Sequence, residues 1–190
     1  MPSETSNAVI AEQDFYHDCF ESVREASKEV LENCSKKNEI QISDLDSSQD
    51  LKDDHWVGSI SVNIPAARVY IDTHFTTRVA RNLVATPTRL DLEKIPIDVI
   101  HDFIREYLNL VMGEIKRGYQ SENLELSVPS IFPSYDRGFD LGTEIDLNAE
   151  KWKLSWDEGE LLMGCYAIAY GDTDLLRLRE QGEEEAIEFF

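Results

Sequence analysis

One segment of the chain, residues 97–116, constrains the fold most strongly because it has the pattern of a long amphipathic helix. At about 100° per residue, its apolar residues fall within roughly 40° of one line and predict a stripe buried in a core. The stripe comprises Ile97, Ile100, Ile104, Leu108, Val111 and Ile115, and the opposite face comprises Asp102, Glu106, Asn109 and Gly113. Asn and Gly are poor helix formers, and Gly in mid-helix costs about 1 kcal/mol relative to Ala. This opposite face therefore predicts a docking surface.

The rest of the hydrophobic pattern predicts an α+β fold. Apolar residues recur every three or four positions over residues 13–34, which indicates a long first helix. The predicted strands cover residues 40–45, 56–64, 68–73, 124–128, 151–156 and 160–170. Because these strands form adjacent pairs and the helices are long and separate, we expect an antiparallel sheet rather than a doubly wound parallel one.

Turn and cap residues set the expected limits of the elements. Thr73 is predicted to cap a helix over residues 74–84, which the sequence Thr-Pro-Thr at residues 86–88 would end. Pro129 and Pro133 are predicted to stop the strand over residues 124–128. The polar residues 46–54 predict a loop, the turn at residues 157–159 predicts a hairpin, and residues 135–148 remain unassigned.

Length and composition indicate one folded domain in a chain of 190 residues. We expect a flexible leader over residues 1–12, a domain over residues 13–172 and an acidic tail over residues 173–190. The sequence has no run of about 18 apolar residues and no signal-peptide pattern, which favours a cytoplasmic protein without a membrane span. Cys19, Cys34 and Cys165 lack the CxxC spacing of metal and redox motifs, so we expect buried free thiols.

The negative charge of the chain limits the classes of partner that it can bind. The formal net charge of −20 argues against binding to nucleic acid or to anionic membranes. Residues 180–190 hold five Glu and no base. They form either a solvated tail or, through their apolar end, an interaction element.

The spacing Asp102-x3-Glu106-x2-Asn109-x3-Gly113 resembles the signature of the CheC/CheX/FliY phosphatases, which act on the phosphorylated chemotaxis regulator CheY. Other segments agree in order and spacing over residues 14–170. Residues 56–62, WVGSISV, resemble the Gly-Ser strand of the family, residues 72–83 the helix after the next strand, and residues 126–131 the Pro-containing strand after the signature helix. The resemblance is closest to CheX, which has a single signature helix.

This resemblance implies a CheC-like fold, with an antiparallel sheet packed against long helices, and a homodimer. It also implies a CheY-like response regulator as the partner, in chemotaxis or another two-component pathway. The receiver domain of that regulator would supply the Mg²⁺, a Lys and the phospho-aspartate, so no cofactor or metal is expected on this chain. Asn109 would orient the attacking water, and Glu106 would pair with the receiver's Lys.

The neighbours of these two residues would then contact the partner. Gly113 would let the receiver backbone approach, and Asp102 would either hold Arg105 or contact a partner residue. Phe103 and Leu110, with Val99, flank the signature face. They form either an apolar docking strip for the receiver or a surface covered by a neighbouring element or a second subunit.

The family often has small residues at the two positions before the signature Asn, whereas this chain has Tyr107 and Leu108. Leu108 falls on the core stripe. Tyr107 falls nearer the flank, where we expect it either to obstruct docking or to contact the partner.

A second signature helix is not expected. The first helix repeats the spacing with Asp14, Asp18, Glu21 and Glu25 but lacks an amide and a Gly, which predicts a solvated acidic face. The chain has no nucleophile-elbow, P-loop or HExxH motif, and its His residues are scattered. The alternatives to a phosphatase are a non-catalytic receiver-binding or dimerising module of the same fold, and an unrelated α+β interaction protein.

Overall fold

The computed structural model describes residues 4–45, 55–64, 67–118, 124–134 and 148–170, with the side chains of the first helix described from Gln13 onward. Within these ranges, three α-helices accompany an antiparallel sheet of seven strands. The elements are α1 (Glu4–Ser35), β1 (Gln41–Asp44), β2 (His55–Ile64), β3 (Ala67–Phe75), α2 (Thr77–Thr88), α3 (Ile97–Gly118), β4 (Glu125–Leu126), β5 (Ser130–Ser134), β6 (Asn148–Trp156) and β7 (Gly159–Ala169). A short 3-10 helix, Leu92–Lys94, precedes α3. The predicted α+β class is confirmed.

Two long hairpins form the centre of the sheet. The strand order is β1-β6-β7-β3-β2-β4, and β5 pairs with β2 alongside β4. The hairpins β2–β3 and β6–β7 are the two that the sequence predicts, and they join through the antiparallel pair β3–β7. The two hairpins pair strands that are neighbours in the chain, whereas the pairings β1–β6, β3–β7, β2–β4 and β2–β5 join strands that are not consecutive.

The site helix α3 packs against β2, where Gly58 makes the close approach possible. A Cβ atom at Gly58 would lie 2.9 Å from Ile104 Cγ2 and 3.1 Å from Leu108 Cδ1, both on α3. These separations are shorter than van der Waals contact, so only glycine permits this approach. The Gly of the Gly-Ser strand thus sets the depth at which the site helix lies on the sheet.

The apolar stripe of α3 is buried as predicted, except at its first residue. Ile100, Ile104, Leu108, Val111 and Ile115 are each at most 1% exposed. Ile97, the first residue of α3, is in contrast 36% exposed. The stripe therefore fixes which face of α3 points outward.

The first helix begins earlier than predicted. It starts at Glu4 rather than at residue 13, so residues 4–12 of the predicted leader are helical. Its inward positions Phe15, Cys19, Val23, Ala26 and Val30 are buried. The described chain ends at Tyr170, and the division into leader, domain and tail stays a prediction.

The predicted start of the second helix is wrong. Thr73 lies within β3, paired with Gly58, and the strand continues to Phe75. Thr76 is the actual N-cap, and its hydroxyl accepts a hydrogen bond from the Val79 amide. Pairing with the whole length of β2 extends β3 past the threonine that looked like a cap.

The predicted end of that helix is also wrong. The helix continues through Thr88 with Pro87 inside it, and Arg89 follows in the left-handed conformation. Proline removes one backbone donor, but the Thr88 hydroxyl donates to the carbonyl of Val84 at 2.7 Å. This side-chain bond satisfies a carbonyl in the last turn.

The strand after α3 divides in two. β4 ends at Leu126, and β5 begins after Pro129 and contains Pro133, which pairs with Trp56. Pro133 therefore does not stop a strand. Proline is tolerated there because, in the described part of the chain, β5 pairs on one side only.

Several sequence predictions fall outside the described residues, namely those for residues 46–54, 135–147 and 180–190. None of the described helices combines the length and apolar character required to span a bilayer. Cys19 and Cys165 are buried free thiols, whereas Cys34 is only half-buried.

Candidate functional site

The outward face of α3 carries all four residues of the signature spacing. The side chain of Asp102 is 75% exposed, and Glu106 and Asn109 are also exposed. At Gly113, an added Cβ would meet no atom of the described residues within 4 Å, so none of these residues covers the position. The helix thus presents a carboxylate, an amide and an uncovered backbone position along one line.

Asp102 has a partner on its own helix. It accepts a hydrogen bond of 3.0 Å from Arg105 Nη1, and both side chains are largely exposed. Of the two roles expected for Asp102, the structure contains the one in which it holds Arg105. An exposed pair of this kind adds about 0.3–0.5 kcal/mol to helix stability, so its main effect is to orient the arginine.

Glu106 lies near the end of α1. Burial raises the pKa of the half-buried Cys34 thiol, and the negative charge of Glu106 raises it further. The thiol is therefore protonated at neutral pH and is a poor nucleophile. Cys34 is therefore an uncharged neighbour of the Glu106 carboxylate.

The expected position of Tyr107 is wrong. Tyr107 is 0% exposed, so it neither obstructs the outward face nor reaches a partner. Its hydroxyl donates a hydrogen bond of 3.1 Å to the backbone carbonyl of Ser27 on α1 and lies 3.6 Å from Met163 Sδ on β7. Burial raises the pKa of this hydroxyl strongly, which keeps it a neutral donor.

The residues that flank the signature face differ in accessibility. Leu110 is 40% exposed, whereas Phe103 and Val99 are partly buried and pack against the core. Phe103 and Val99, two of the three residues expected in the apolar strip, therefore pack mainly against the core. Leu110 is the member of the strip that a partner can contact over a large area.

His101, next to Asp102 in sequence, points away from the outward face. Its ring lies 4.6 Å from the ring of Trp56 in an edge-on arrangement, and burial lowers its pKa. Among the described residues, no group of three or more His, Cys, Asp or Glu side chains is arranged to hold a metal ion. The outward face presents the neutral amide of Asn109 and the carboxylates of Asp102 and Glu106.

The matching spacing on α1 forms a solvent-exposed acidic face. Asp14, Asp18, Glu21 and Glu25 are all exposed, and Glu21 lies 3.8 Å from His17. This face has no amide beside its carboxylates. It therefore does not repeat the Glu-amide pair of α3.

Sequence reasoning missed the network that supports the site. Ser27 is 0% exposed, accepts from Trp152 Nε1 at 3.1 Å and donates to the Arg24 carbonyl at 2.7 Å. It is a polar residue on the apolar stripe of α1, which is a usable signal of a buried hydrogen bond. Its partner Tyr107 is 80 residues away in the sequence, so no local sequence pattern predicts that the two residues form a hydrogen bond.

Comparisons with known proteins identify the fold. No protein-family model and no curated protein matches the sequence. Among solved structures, a CheC-like superfamily protein from Shewanella sp. PV-4 superposes with a TM-score of 0.64 at 15% identity, covering 80% of this chain and 98% of that one. The chemotaxis protein CheX from Vibrio vulnificus gives a TM-score of 0.64 at 14% identity, covering 80% and 99%.

A third similar structure includes a partner. A chain of the CheX–CheY–BeF3–Mg²⁺ complex from Borrelia burgdorferi superposes with a TM-score of 0.58 at 10% identity, covering 78% of this chain and 96% of that one. At these identities the likeness establishes architecture alone. The chain has the CheC-like fold, as the resemblance implied.

Proposed function

We propose that this chain is a CheX-like phosphatase that hydrolyses the phospho-aspartate of a CheY-like response regulator. The observation that carries the proposal is the exposed pair Glu106 and Asn109, about one turn apart on a helix whose other face is anchored in the core. The CheC-like fold and a fold neighbour from a complex with CheY support the same partner.

The reaction requires little from the phosphatase. An acyl phosphate is reactive, and the receiver domain would supply Mg²⁺ and a Lys for the charge on the phosphoryl oxygens. What remains is to hold a water molecule in line with the bond that breaks. The Asn109 amide suits this role because it donates and accepts hydrogen bonds while staying uncharged at every working pH.

Glu106 would anchor the receiver. Its carboxylate would accept a charge-assisted hydrogen bond from the receiver's Lys, and it has no salt bridge with any described residue of its own chain. The open space over Gly113 would admit the receiver backbone. Leu110 would add apolar area beside this contact, and Asp102 with Arg105 would border it.

The other parts of the proposal follow from the resemblance. We propose a homodimer in the cytoplasm, with the receiver bound to the α3 face of each protomer. Two features of the sequence, Tyr107 and the acidic tail, favour a non-catalytic module. Tyr107 is buried and does not cover the signature face, whereas the tail lies outside the described residues.

Decay of a phosphorylated receiver tests the catalytic role directly. Several CheY-like receivers from the same genome would be phosphorylated with a small-molecule phosphodonor, and their decay followed with and without this protein. We expect faster decay, and we expect Asn109→Ala to slow the catalysed rate about 100-fold, as for removal of a single positioned amide elsewhere. The exposed Asn148 at the start of β6 provides the matched control Asn148→Ala, which should retain wild-type activity.

Binding distinguishes a phosphatase from a receiver-binding module. Affinity for a receiver carrying BeF3⁻, a mimic of the phosphoryl group, should survive Asn109→Ala and fall with Glu106→Ala. Binding without accelerated decay would instead establish the non-catalytic module. Absence of both binding and decay with every receiver would leave the proposal without support.

A further inference from the structure

The outward face of α3 carries two charges of opposite sign that have no ion-pair partner among the described residues. They are Glu106 and Lys116, both exposed. Other charges on the helix are engaged locally, since Arg105 pairs with Asp102 and Arg117 pairs with Glu114. Asp98 lies in the first turn, where an acid is stabilised by the helix dipole.

Helix geometry places these two charges on either side of the amide and the glycine. Ten residues separate them, which corresponds to about 15 Å along the axis. Lys116 lies within about 20° of the direction of Asn109, two turns further along the helix. The face therefore changes from a negative charge, through the neutral Asn109 and Gly113, to a positive charge.

Lys116 is a cation at the end of the signature face of a strongly acidic chain. The net charge is −20, and many described Lys and Arg side chains are engaged by carboxylates of the same chain. These include Arg24 with Glu150, Lys37 with Glu158, Lys94 with Asp91 and Lys153 with Glu160. Because Lys116 forms no ion pair with any residue that the structure describes, an acidic partner group would meet attraction rather than repulsion there.

We propose that Lys116 is a second docking point that selects and orients the receiver domain. An acidic side chain of the receiver pairs with Lys116 while the receiver's Lys pairs with Glu106. Two ionic contacts about 15 Å apart fix the direction of the receiver along α3, so that its phosphoryl group lies over Asn109. This inference rests on the proposed function and adds to it a residue that determines partner specificity.

A helix-dipole role for Lys116 makes a different prediction. A base in the last turn stabilises a helix through the helix dipole, so removing it would lower folding stability without changing recognition of a receiver. The kinetic parameters therefore separate the two roles. Lys116→Glu reverses the charge, and Lys116→Gln removes it while keeping a good helix former at the position.

The control is Arg78→Glu, which makes the same change of charge on another helix. Arg78 is exposed on α2 and forms no ion pair with any described residue. Dephosphorylation rates would be measured against receiver concentration at several salt concentrations, with urea unfolding of each variant alongside. BeF3⁻-loaded receiver would provide an independent binding measurement.

We expect Lys116→Glu to raise KM about tenfold with kcat unchanged, and Lys116→Gln to raise it less. The salt dependence of KM should weaken in both variants because one ionic contact is lost. Arg78→Glu should keep wild-type KM. Equal KM values for Lys116→Glu and Arg78→Glu would overturn the inference while the phosphatase assignment stands, and so would a fall in kcat alone. A wild-type protein that neither binds nor dephosphorylates any receiver would overturn both.

Discussion

The hydroxyl of Tyr107 donates a hydrogen bond of 3.1 Å to the backbone carbonyl of Ser27, which ties the site helix to α1. Ser27 in turn accepts a hydrogen bond from Trp152 Nε1 on β6. The three elements α3, α1 and β6 are thereby joined at Tyr107, the residue that follows Glu106. The exposed signature face is therefore held by a buried polar network as well as by the apolar stripe.

Tyr107→Phe removes this donor and leaves the Ser27 carbonyl without it. The Ser27 carbonyl lies within α1 and keeps its helical hydrogen bond, so we expect the free energy of unfolding in urea to fall by about 0.5–1.5 kcal/mol, the net contribution of one hydrogen bond. The outward face keeps its residues, so dephosphorylation by the folded variant should stay close to wild type. Unchanged stability would mean that the hydrogen bond contributes nothing measurable.

The sequence predicted α3 well because its signal is long and local. A 22-residue helix with apolar residues at every inward position leaves one orientation against a sheet, and that orientation fixes the outward positions of Glu106 and Asn109. Ile97 is more exposed than the rest of the stripe. The periodicity of a sequence predicts on which side of a helix a residue lies, but not how far the neighbouring elements extend along that side.

Other features depend on contacts between residues that are distant in the sequence. Tyr107 lies on the flank of the stripe, and only the position of α1 decides that it is buried. Thr73 and Thr76 are both plausible caps, and the choice between them depends on how far β3 pairs with β2. Sequence alone likewise did not show that Lys116 forms no ion pair with the described residues, because that depends on where the neighbouring acids lie in the fold.

Gly58→Ala should destabilise the protein because α3 has no room to retreat without loss of packing. The new Cβ would lie 2.9 Å from Ile104 Cγ2 and 3.0 Å from Thr73 Cγ2. Overpacking of this kind costs about 1–3 kcal/mol, which urea unfolding would show as a lower midpoint. A midpoint equal to that of wild type would mean that the helix moves outward freely.

Gly113→Ala is the matched change in open space and should have the opposite effect on stability. No atom of the described residues lies within 4 Å of the new methyl group, and Ala is favoured over Gly in a helix by about 1 kcal/mol. The midpoint should therefore rise. If the receiver backbone approaches this position, affinity for BeF3⁻-loaded receiver should fall at the same time. Higher stability with unchanged affinity would place the receiver elsewhere on α3.

A buried histidine pair makes folding stability depend on pH. His55 Nε2 and His74 Nδ1 lie 3.0 Å apart where β2 begins and β3 ends. Burial, and then the proximity of His55 and Lys151, lower the pKa of His74 to about 3. In the unfolded chain the pKa of a histidine is near its ordinary value of about 6.5.

Between those two values the unfolded state binds a proton that folded His74 does not. The free energy of unfolding therefore falls as the pH drops below about 6.5, with a limiting slope of about 1.4 kcal/mol per pH unit from this residue. His74→Asn keeps a hydrogen-bonding side chain but cannot take up the proton. Urea unfolding at several pH values should show that the stability difference between wild type and variant, largest near pH 7.5, shrinks toward pH 4. Parallel pH profiles for the two proteins would contradict this account, since carboxylates that titrate in the same range affect both equally.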